Sequence, residues 1–336
     1  MNIEKKINFN FFNFPFFYFR LITTIFALGR NGFFSLILKL NVLSPKLKLF
    51  LKFLIYILEK KNLNDFEKLL PKTLSKLGPG FIKLGQALST RPDIFGLKNT
   101  NKLVYLQDRL EPFSTRKAIE IIEAKIGLKL DQVFLNFNEN PVAAASVAQV
   151  YEATLISGEK VAVKILRPNI EKILLQDFKF FFWISKQIEF FKPSFRRFKL
   201  SEMVKIFFQS SINEVDLRLE ASSANELKEN FKDFKRFKVP KIYWEFTSKE
   251  VMVLEFVNGV RIDKIQNNKK INFDLEELTK LASEIFFLQV FRDGFFHADL
   301  HPGNIFVDKD GNIIPLDFGI MGRLNNKDRK FLAELL

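Results

Sequence analysis

Not one of the 336 residues is a cysteine, so disulfides and thiolate metal sites are excluded. Histidine is nearly as scarce: the chain has two, at positions 297 and 301, which argues against a His-rich zinc centre. Long apolar runs are missing from the N-terminal region. Phe9 to Phe19 is almost wholly aromatic, but Asn10, Asn13 and Pro15 interrupt it and Arg20 follows. A bilayer-crossing helix needs about 20 apolar residues in a row. No small-residue cleavage site follows that first run, so a signal peptide is not expected. A transit peptide is not expected either, because Glu4 is present and Ser and Arg are sparse.

What is present is basic and rich in phenylalanine. The formal charge is +14 and Phe occurs 42 times. Abundant Phe, Lys, Asn and Ile is the composition an A/T-rich genome produces, and it also suits a protein that meets an anionic surface. No nucleic-acid-binding motif accompanies the charge, so nucleic acid is not expected as a partner. In residues 1 to 70, Leu21 to Leu28, Phe33 to Leu38 and Leu49 to Leu58 are apolar, punctuated by Arg30, Lys39, Lys46, Lys48, Lys52 and Lys60. This basic, aromatic pattern fits helices lying in a membrane interface, and equally helices that pack within a Phe-biased protein.

Residues 71 to 140 read as a helical extension. Gly78-Pro79-Gly80 breaks one helix, and Phe81, Leu84 and Leu88 then recur at helical spacing. Lys83, Gly85 and Gln86 form a Lys-x-Gly-Gln motif on this second helix, which taken alone also suits a solvated face. A turn is expected at Arg91-Pro92-Asp93, and an amphipathic element from Leu103 to Asp108. Ser114 is placed to cap a further helix with Ala118, Ile121, Ile122 and Ile126 on its apolar stripe.

From Val142 the period changes to that of strands. Val142 to Leu166 reads as strand, small-residue turn, strand, hairpin at Ser157-Gly158, and strand. Val161-Ala162-Val163-Lys164 ends this unit in the form that places a kinase lysine on the nucleotide phosphates. The turn Ala143-Ala144-Ala145-Ser146 stands where a kinase has glycines. Alanine resists positive φ, so the nucleotide should be held differently, with a changed preference between ATP and ADP. Ser201 to Phe234 reads as one long helix carrying Glu214, Asp216 and Glu220, with the last two on one face. Like charges at that spacing call for a basic or metal partner, or for solvent. Val239 to Val257 gives two strand-like runs, and Glu255-Phe256-Val257-Asn258-Gly259 leads into a hinge between lobes, with Glu255 and Val257 as candidate nucleotide-binding residues of a lobe over residues 141 to 260.

In residues 261 to 336, Asp274 with Glu277 opens a helix over Leu275 to Arg292. That helix delivers the chain to His297-Ala298-Asp299-Leu300-His301-Pro302-Gly303-Asn304, followed by Asp317-Phe318-Gly319. Asp299 and Asn304 are five apart and Asp317 lies 18 residues beyond Asp299, the order and spacing of a phosphoryl-transfer centre. Asp299 would accept or orient a proton, while Asn304 and Asp317 offer hard oxygen ligands to Mg2+. Only 17 residues follow Gly319, too few for the helical lobe that a full kinase builds there.

Together these motifs resemble the UbiB/ADCK family of atypical kinase-like proteins from about residue 70 to residue 325. The resemblance implies an α+β, protein-kinase-like two-lobe fold with an added N-terminal helical segment and a shortened C-terminal lobe. It implies that Lys164 contacts phosphate and pairs with Glu220, that Asp299 is catalytic, and that Asn304 and Asp317 bind Mg2+. Ala143 to Ser146 would form the phosphate loop. Lys83, Gly85 and Gln86 would fold over the active site, with Glu214 and Asp216 holding that segment, so protein phosphorylation is disfavoured. The implied function is a Mg2+-dependent ATPase or phosphotransferase, using ATP or ADP, that supports biosynthesis or homeostasis of isoprenoid quinones or related lipids. Implied partners are a membrane surface, a quinone or isoprenoid intermediate and quinone-biosynthesis proteins, in a plastid, a mitochondrion or at a bacterial inner membrane. The alternative is a catalytically silent nucleotide-binding scaffold that presents a lipid or partner-protein site.

Overall fold

The computed structural model describes residues 14–38, 45–59, 66–89, 111–267, 273–299 and 302–335. The expected turn at Arg91 to Asp93, the element from Leu103 to Asp108, and His301 lie outside them. Among the described residues, the α-helices longer than one turn are α1 (Phe14–Arg30), α2 (Phe33–Leu38), α3 (Pro45–Leu58), α4 (Phe66–Leu77), α5 (Pro79–Ser89), α6 (Thr115–Ile126), α7 (Ile170–Phe191), α8 (Leu200–Asn213), α9 (Leu217–Asn230), α10 (Leu275–Phe287) and α11 (Asn326–Leu335). The longer strands are β1 (Phe134–Phe137), β2 (Ala148–Leu155), β3 (Lys160–Leu166) and β4 (Val251–Glu255). Five short ones follow: β5 (Val260–Arg261), β6 (Phe295–His297), β7 (Ile305–Val307), β8 (Ile313–Pro315) and β9 (Met321–Arg323). Among the described residues no helix is long and apolar enough to cross a membrane.

The chain divides into two compact bodies. The first lies within Met1–Glu111, Ala144–Val147 and Pro168–Ile212; the second takes Pro112–Ala143, Ala148–Arg167 and Asn213–Leu336.

An aromatic core holds the first body. Phe17 of α1, Leu74 of α4, Phe81 and Ile82 of α5, and Phe180 and Trp183 of α7 are buried together. Asp177 lies inside this apolar setting, where Arg20 and Gly80 satisfy its carboxylate. Arg20 of α1 hydrogen-bonds its carboxylate, the Gly80 N–H donates to the other oxygen at 2.8 Å, and the Arg20 guanidinium stacks 5.0 Å from the Phe180 ring. Burial raises the Asp177 pKa, against the lowering effect of Arg20 and Gly80. The Gly-Pro-Gly segment therefore does more than stop a helix. Gly78 adopts φ +127°, and a Cβ on Gly80 would sit 2.5 Å from the Cβ of Asp177, so α5 approaches α7 only because both residues are glycine.

Strand alternation builds the second body. The sheet order is β1-β2-β3-β4, each neighbouring pair antiparallel, and the two-residue strand Ala143–Ala144 pairs with β2 off this path. On β3, Val161, Val163 and Ile165 are fully buried and join Tyr151, Val253, Ala118 and Ile122 in one core. The residues between them, Ala162 and Lys164, must then point to the opposite face. Gly158 turns the β2–β3 hairpin with φ +93°. Beyond the sheet, β5-β7-β8 and the pair β6-β9 form two small antiparallel sheets that carry the loop segments described below.

Four local expectations need correction. The helix expected over Ser201 to Phe234 is two, α8 and α9, because the Asp216 carboxylate accepts the Arg218 N–H and starts a new helix. Of the two runs expected over Val239 to Val257, the first gives only an isolated bridge, Ile242 to Leu254, and the second gives β4. Ser114 occupies the cap position of α6 without a side-chain capping bond; its carbonyl accepts the Ala118 N–H. The helix from Leu275 is regular only to Phe287, after which Leu288–Asp293 widens into a π-helix.

Candidate functional site

Lys164 is the centre of charge in the second body. Its Nζ lies 2.5 Å from Glu220 Oε1 and 3.9 Å from Asp317 Oδ1. Glu220 is placed by α9, whose buried stripe is Leu217, Glu220, Ala221, Ala224 and Leu227. A glutamate on such a stripe needs a partner, and Lys164 is the one supplied. Burial works against the ammonium, but the carboxylates of Asp317 and Glu220 outweigh it, so the Lys164 pKa is raised. Burial also pushes Glu220 up to about 7, despite Lys164, and the nearby Asp317 charge adds to the effect. Glu214 adds a third negative charge near the same ammonium. Three carboxylates, of Glu214, Glu220 and Asp317, therefore bear on one ammonium group.

His297 ties the Asp299 and Asp317 segments together. The Asp299 backbone N–H donates to His297 Nδ1 at 3.1 Å, which fixes Nδ1 as the acceptor. Nε2 then carries the hydrogen and donates to the Asp317 carbonyl at 2.6 Å. The His297 N–H in turn donates to Gln289 Oε1 at 2.9 Å, and both residues are buried. Asn304 joins through its carbonyl, which accepts the Leu316 N–H at 2.9 Å. Asp299, Asn304 and Asp317 are thus held by one hydrogen-bonded frame. Phe318 beneath them is 1% exposed, whereas the Asp317 side chain is 44% exposed and accessible to a ligand. Asp299 is exposed too. The Gly319 N–H donates to Asp317 Oδ1 at 3.0 Å. A Cβ at Gly319 would come within 3.2 Å of that oxygen and 3.6 Å of the Glu214 stem.

The donor set fits Mg2+ shared with a nucleotide. Asn304 and Asp317 offer an amide and a carboxylate oxygen. Among the described residues no group of three His, Cys, Asp or Glu could hold a metal. Mg2+ in phosphoryl-transfer sites takes one or two carboxylates and fills its remaining positions with phosphate and water.

The other expected residues fall as follows. Glu255 ends β4, its carboxylate accepting the Lys241 N–H at 3.1 Å, and Val257 follows in the connection to β5. Ala143 and Ala144 are extended, Ser146 is buried, and among the described residues only Asn169 and Lys199 are non-glycine residues with positive φ. The alanine turn therefore takes a conformation alanine tolerates. Lys83 is 5% exposed and Gly85 is buried on α5, which excludes the solvated face that Lys-x-Gly-Gln alone allowed; Gln86 is half-buried. Asp216 is not on a helix face with Glu220: it caps α9, and the Arg218 guanidinium grips it at 2.9 and 2.6 Å. The Arg218 hydrogen bond lowers the Asp216 pKa, opposed by partial burial.

Two residues that sequence reasoning passed over complete the picture. Gln289 is a lone amide in Phe286-Phe287-Leu288-Gln289-Val290-Phe291, and Asp177 is a lone acid beside Phe178 and Phe180. An isolated polar residue in an apolar run was the available signal for Gln289, whereas Asp177, between Gln176 and Lys179, carries none of that kind.

The ABC1 atypical kinase-like domain matches residues 105–336. A probable protein kinase UbiB of Pseudomonas paraeruginosa is 40% identical over 267 residues, covering 78% of this chain and 50% of that protein. The protein of the same description from Marinobacter nauticus is 41% identical over 267 residues, with 78% and 49% covered. The chain therefore spans about half the length of these relatives. A solved structure from Mycobacterium tuberculosis, described as the complex of Rv3197 with erythromycin, superposes with a TM-score of 0.52 at 29% identity, covering 74% of this chain and 63% of that one.

Proposed function

This chain belongs to the ABC1 atypical kinase-like family, the UbiB/ADCK family its motifs resemble, and from that premise we propose that it is a Mg2+-dependent ATPase or phosphotransferase serving isoprenoid-quinone or related lipid metabolism. The observation that carries the reading is the frame in which His297 joins the backbones of Asp299 and Asp317 while Lys164 faces both Glu220 and Asp317. Lys164, kept protonated by its carboxylate neighbours, is suited to nucleotide phosphates. Asn304 and Asp317 would hold Mg2+, which when bound neutralises charge on the phosphate oxygens. Asp299, exposed beside them, orients the attacking group and accepts its proton.

A non-protein acceptor is favoured at position 298. Alanine stands there, where a kinase has the arginine that meets a phosphorylated activation segment. A quinone or prenyl-lipid intermediate is the acceptor class the family implies.

Mg2+-dependent ATP turnover by the wild type and by Asp317→Asn tests the proposal. The variant should lose at least about 100-fold in rate, the scale on which a charge-stabilising group contributes. Equal rates in the two proteins sink the enzyme reading, and nucleotide binding without turnover in the wild type assigns the scaffold instead. The lipid assignment is tested separately by the quinone and prenyl-lipid content of cells lacking the protein. Rescue by the wild type but not by Asp317→Asn is expected.

A further inference from the structure

The inward face of β2 breaks its own pattern once. Tyr151 and Ala153 point into the core opposite Val163 and Val161 of β3, but the preceding inward position, opposite Ile165, is Gln149, and it is fully buried. A leucine would fill that space without the cost of desolvating an amide. The amide is instead satisfied on every side. Its Oε1 accepts the Phe113 N–H at 3.0 Å, while Nε2 donates to the Phe113 carbonyl at 3.3 Å and to the Tyr151 hydroxyl. Tyr151, itself fully buried, passes the series on: its hydroxyl donates to Thr115 Oγ1 at 3.3 Å, and the Thr115 hydroxyl donates to the Glu139 carbonyl at 2.9 Å. Fully satisfied networks of this kind fix geometry as well as stability.

What they fix here is the pair of arms on either side of the expected phosphate turn. Residues 138–142 run beside β2, with the Asn138 N–H donating to the Glu152 carbonyl at 2.9 Å and the Val142 N–H to the Val150 carbonyl at 2.8 Å. The turn, residues 143–146, lies along the chain between this segment and β2. Its incoming arm is tied through Glu139 and its outgoing arm through Gln149, and both ties end on residues 113–115 at the start of α6. Alanine gives such a turn little freedom of its own, so the arms decide where its backbone amides stand. Val150, the residue after Gln149, is the strand partner of Lys164, so Gln149 points away from the Lys164 face and can act on it only through the backbone.

We propose that Gln149, with Tyr151 and Thr115, is a positioning residue for the phosphate turn, its buried hydrogen bonds holding the two arms in the arrangement that binds nucleotide. This rests on the reading that the site takes ATP with Mg2+.

Calorimetric titration of the full chain with ATP and Mg2+, together with hydrogen exchange of the free protein, tests it on Gln149→Leu, Thr115→Val and Thr115→Ser. Gln149→Leu and Thr115→Val should each weaken ATP binding about five- to tenfold, the scale of one lost hydrogen bond, and exchange should quicken over residues 138–147. Thr115→Ser, which keeps the hydroxyl that Thr115→Val removes, should match the wild type in both measurements. Thr115 is half-buried at the first residue of α6, so its two variants decide the matter alone if Gln149→Leu does not fold. If the wild type binds ATP and Thr115→Val binds it equally well, the proposal is overturned and the nucleotide reading stands. The same follows if Thr115→Ser is as impaired as Thr115→Val, or if exchange over residues 138–147 is unchanged. A wild type that binds no ATP defeats the nucleotide reading, and this proposal with it.

Discussion

Asp308, at the turn between β7 and β8, shows how much one side chain can organise. Its carboxylate accepts the N–H groups of Asp310 and Asn312 at 2.9 and 3.0 Å, the Asn312 amide at 2.8 Å, and the Lys238 ammonium at 2.8 Å. Burial alone would raise its pKa, but these hydrogen bonds, led by Asn312, prevail and bring it down to about 2. A carboxyl depressed on folding stabilises the native state above its unfolded pKa, and that stability is lost as pH falls through the folded value. Asp308→Asn should therefore cost about 2 kcal/mol at neutral pH. The difference from the wild type should close between about pH 4 and pH 2. Urea melts of both proteins across that range check it, and a gap independent of pH would refute it. The Lys164–Glu220 pair is of another kind: Glu220 is almost fully buried, and removing Lys164 would leave a carboxyl that the interior cannot solvate.

Among the elements, the π-helix Leu288–Asp293 does the most for the site. A regular α-helical turn there would rotate later residues by about 100° per position, whereas the wider turn brings Gln289 inward against the His297 backbone. Gln289→Leu leaves the buried His297 N–H without its acceptor, a cost of about 1–3 kcal/mol. ATP turnover should fall with it, since His297 carries the backbones of both Asp299 and Asp317. Gln289→Glu keeps an acceptor oxygen and should restore turnover; equal loss in both variants would mean that the acceptor oxygen is not what supports the site. The break between α8 and α9 is equally consequential. Apolar periodicity runs through it unchanged, but the short Asp216 side chain competes for backbone N–H groups and ends one helix in favour of the next.

For the whole molecule, the nucleotide reading makes a thermodynamic claim. A ligand bound only by the native state stabilises it by about 2.7 kcal/mol at 100 times its Kd. ATP with Mg2+ should therefore raise the melting temperature by several degrees, EDTA should remove most of that increment, and Asp317→Asn should lack the Mg2+-dependent part. A melting temperature indifferent to nucleotide would count against any site at Lys164. Much of this site was legible before any fold was known. Asp299, Asn304 and Asp317 lie no more than 18 positions apart, so their grouping is visible in the linear sequence. Lys164 was legible because strand alternation leaves it opposite Val163 and Ile165. Other features depended on distant partners. The burial of Lys83, the hold of Arg20 on Asp177 across 157 positions and the seat of Gln289 against His297 were decided by packing. Spacing along the chain determines which side chains can share a loop, a strand face or a helix stripe. Which buried polar group meets which partner is settled only when the elements close on one another, because desolvation then forces each to be satisfied.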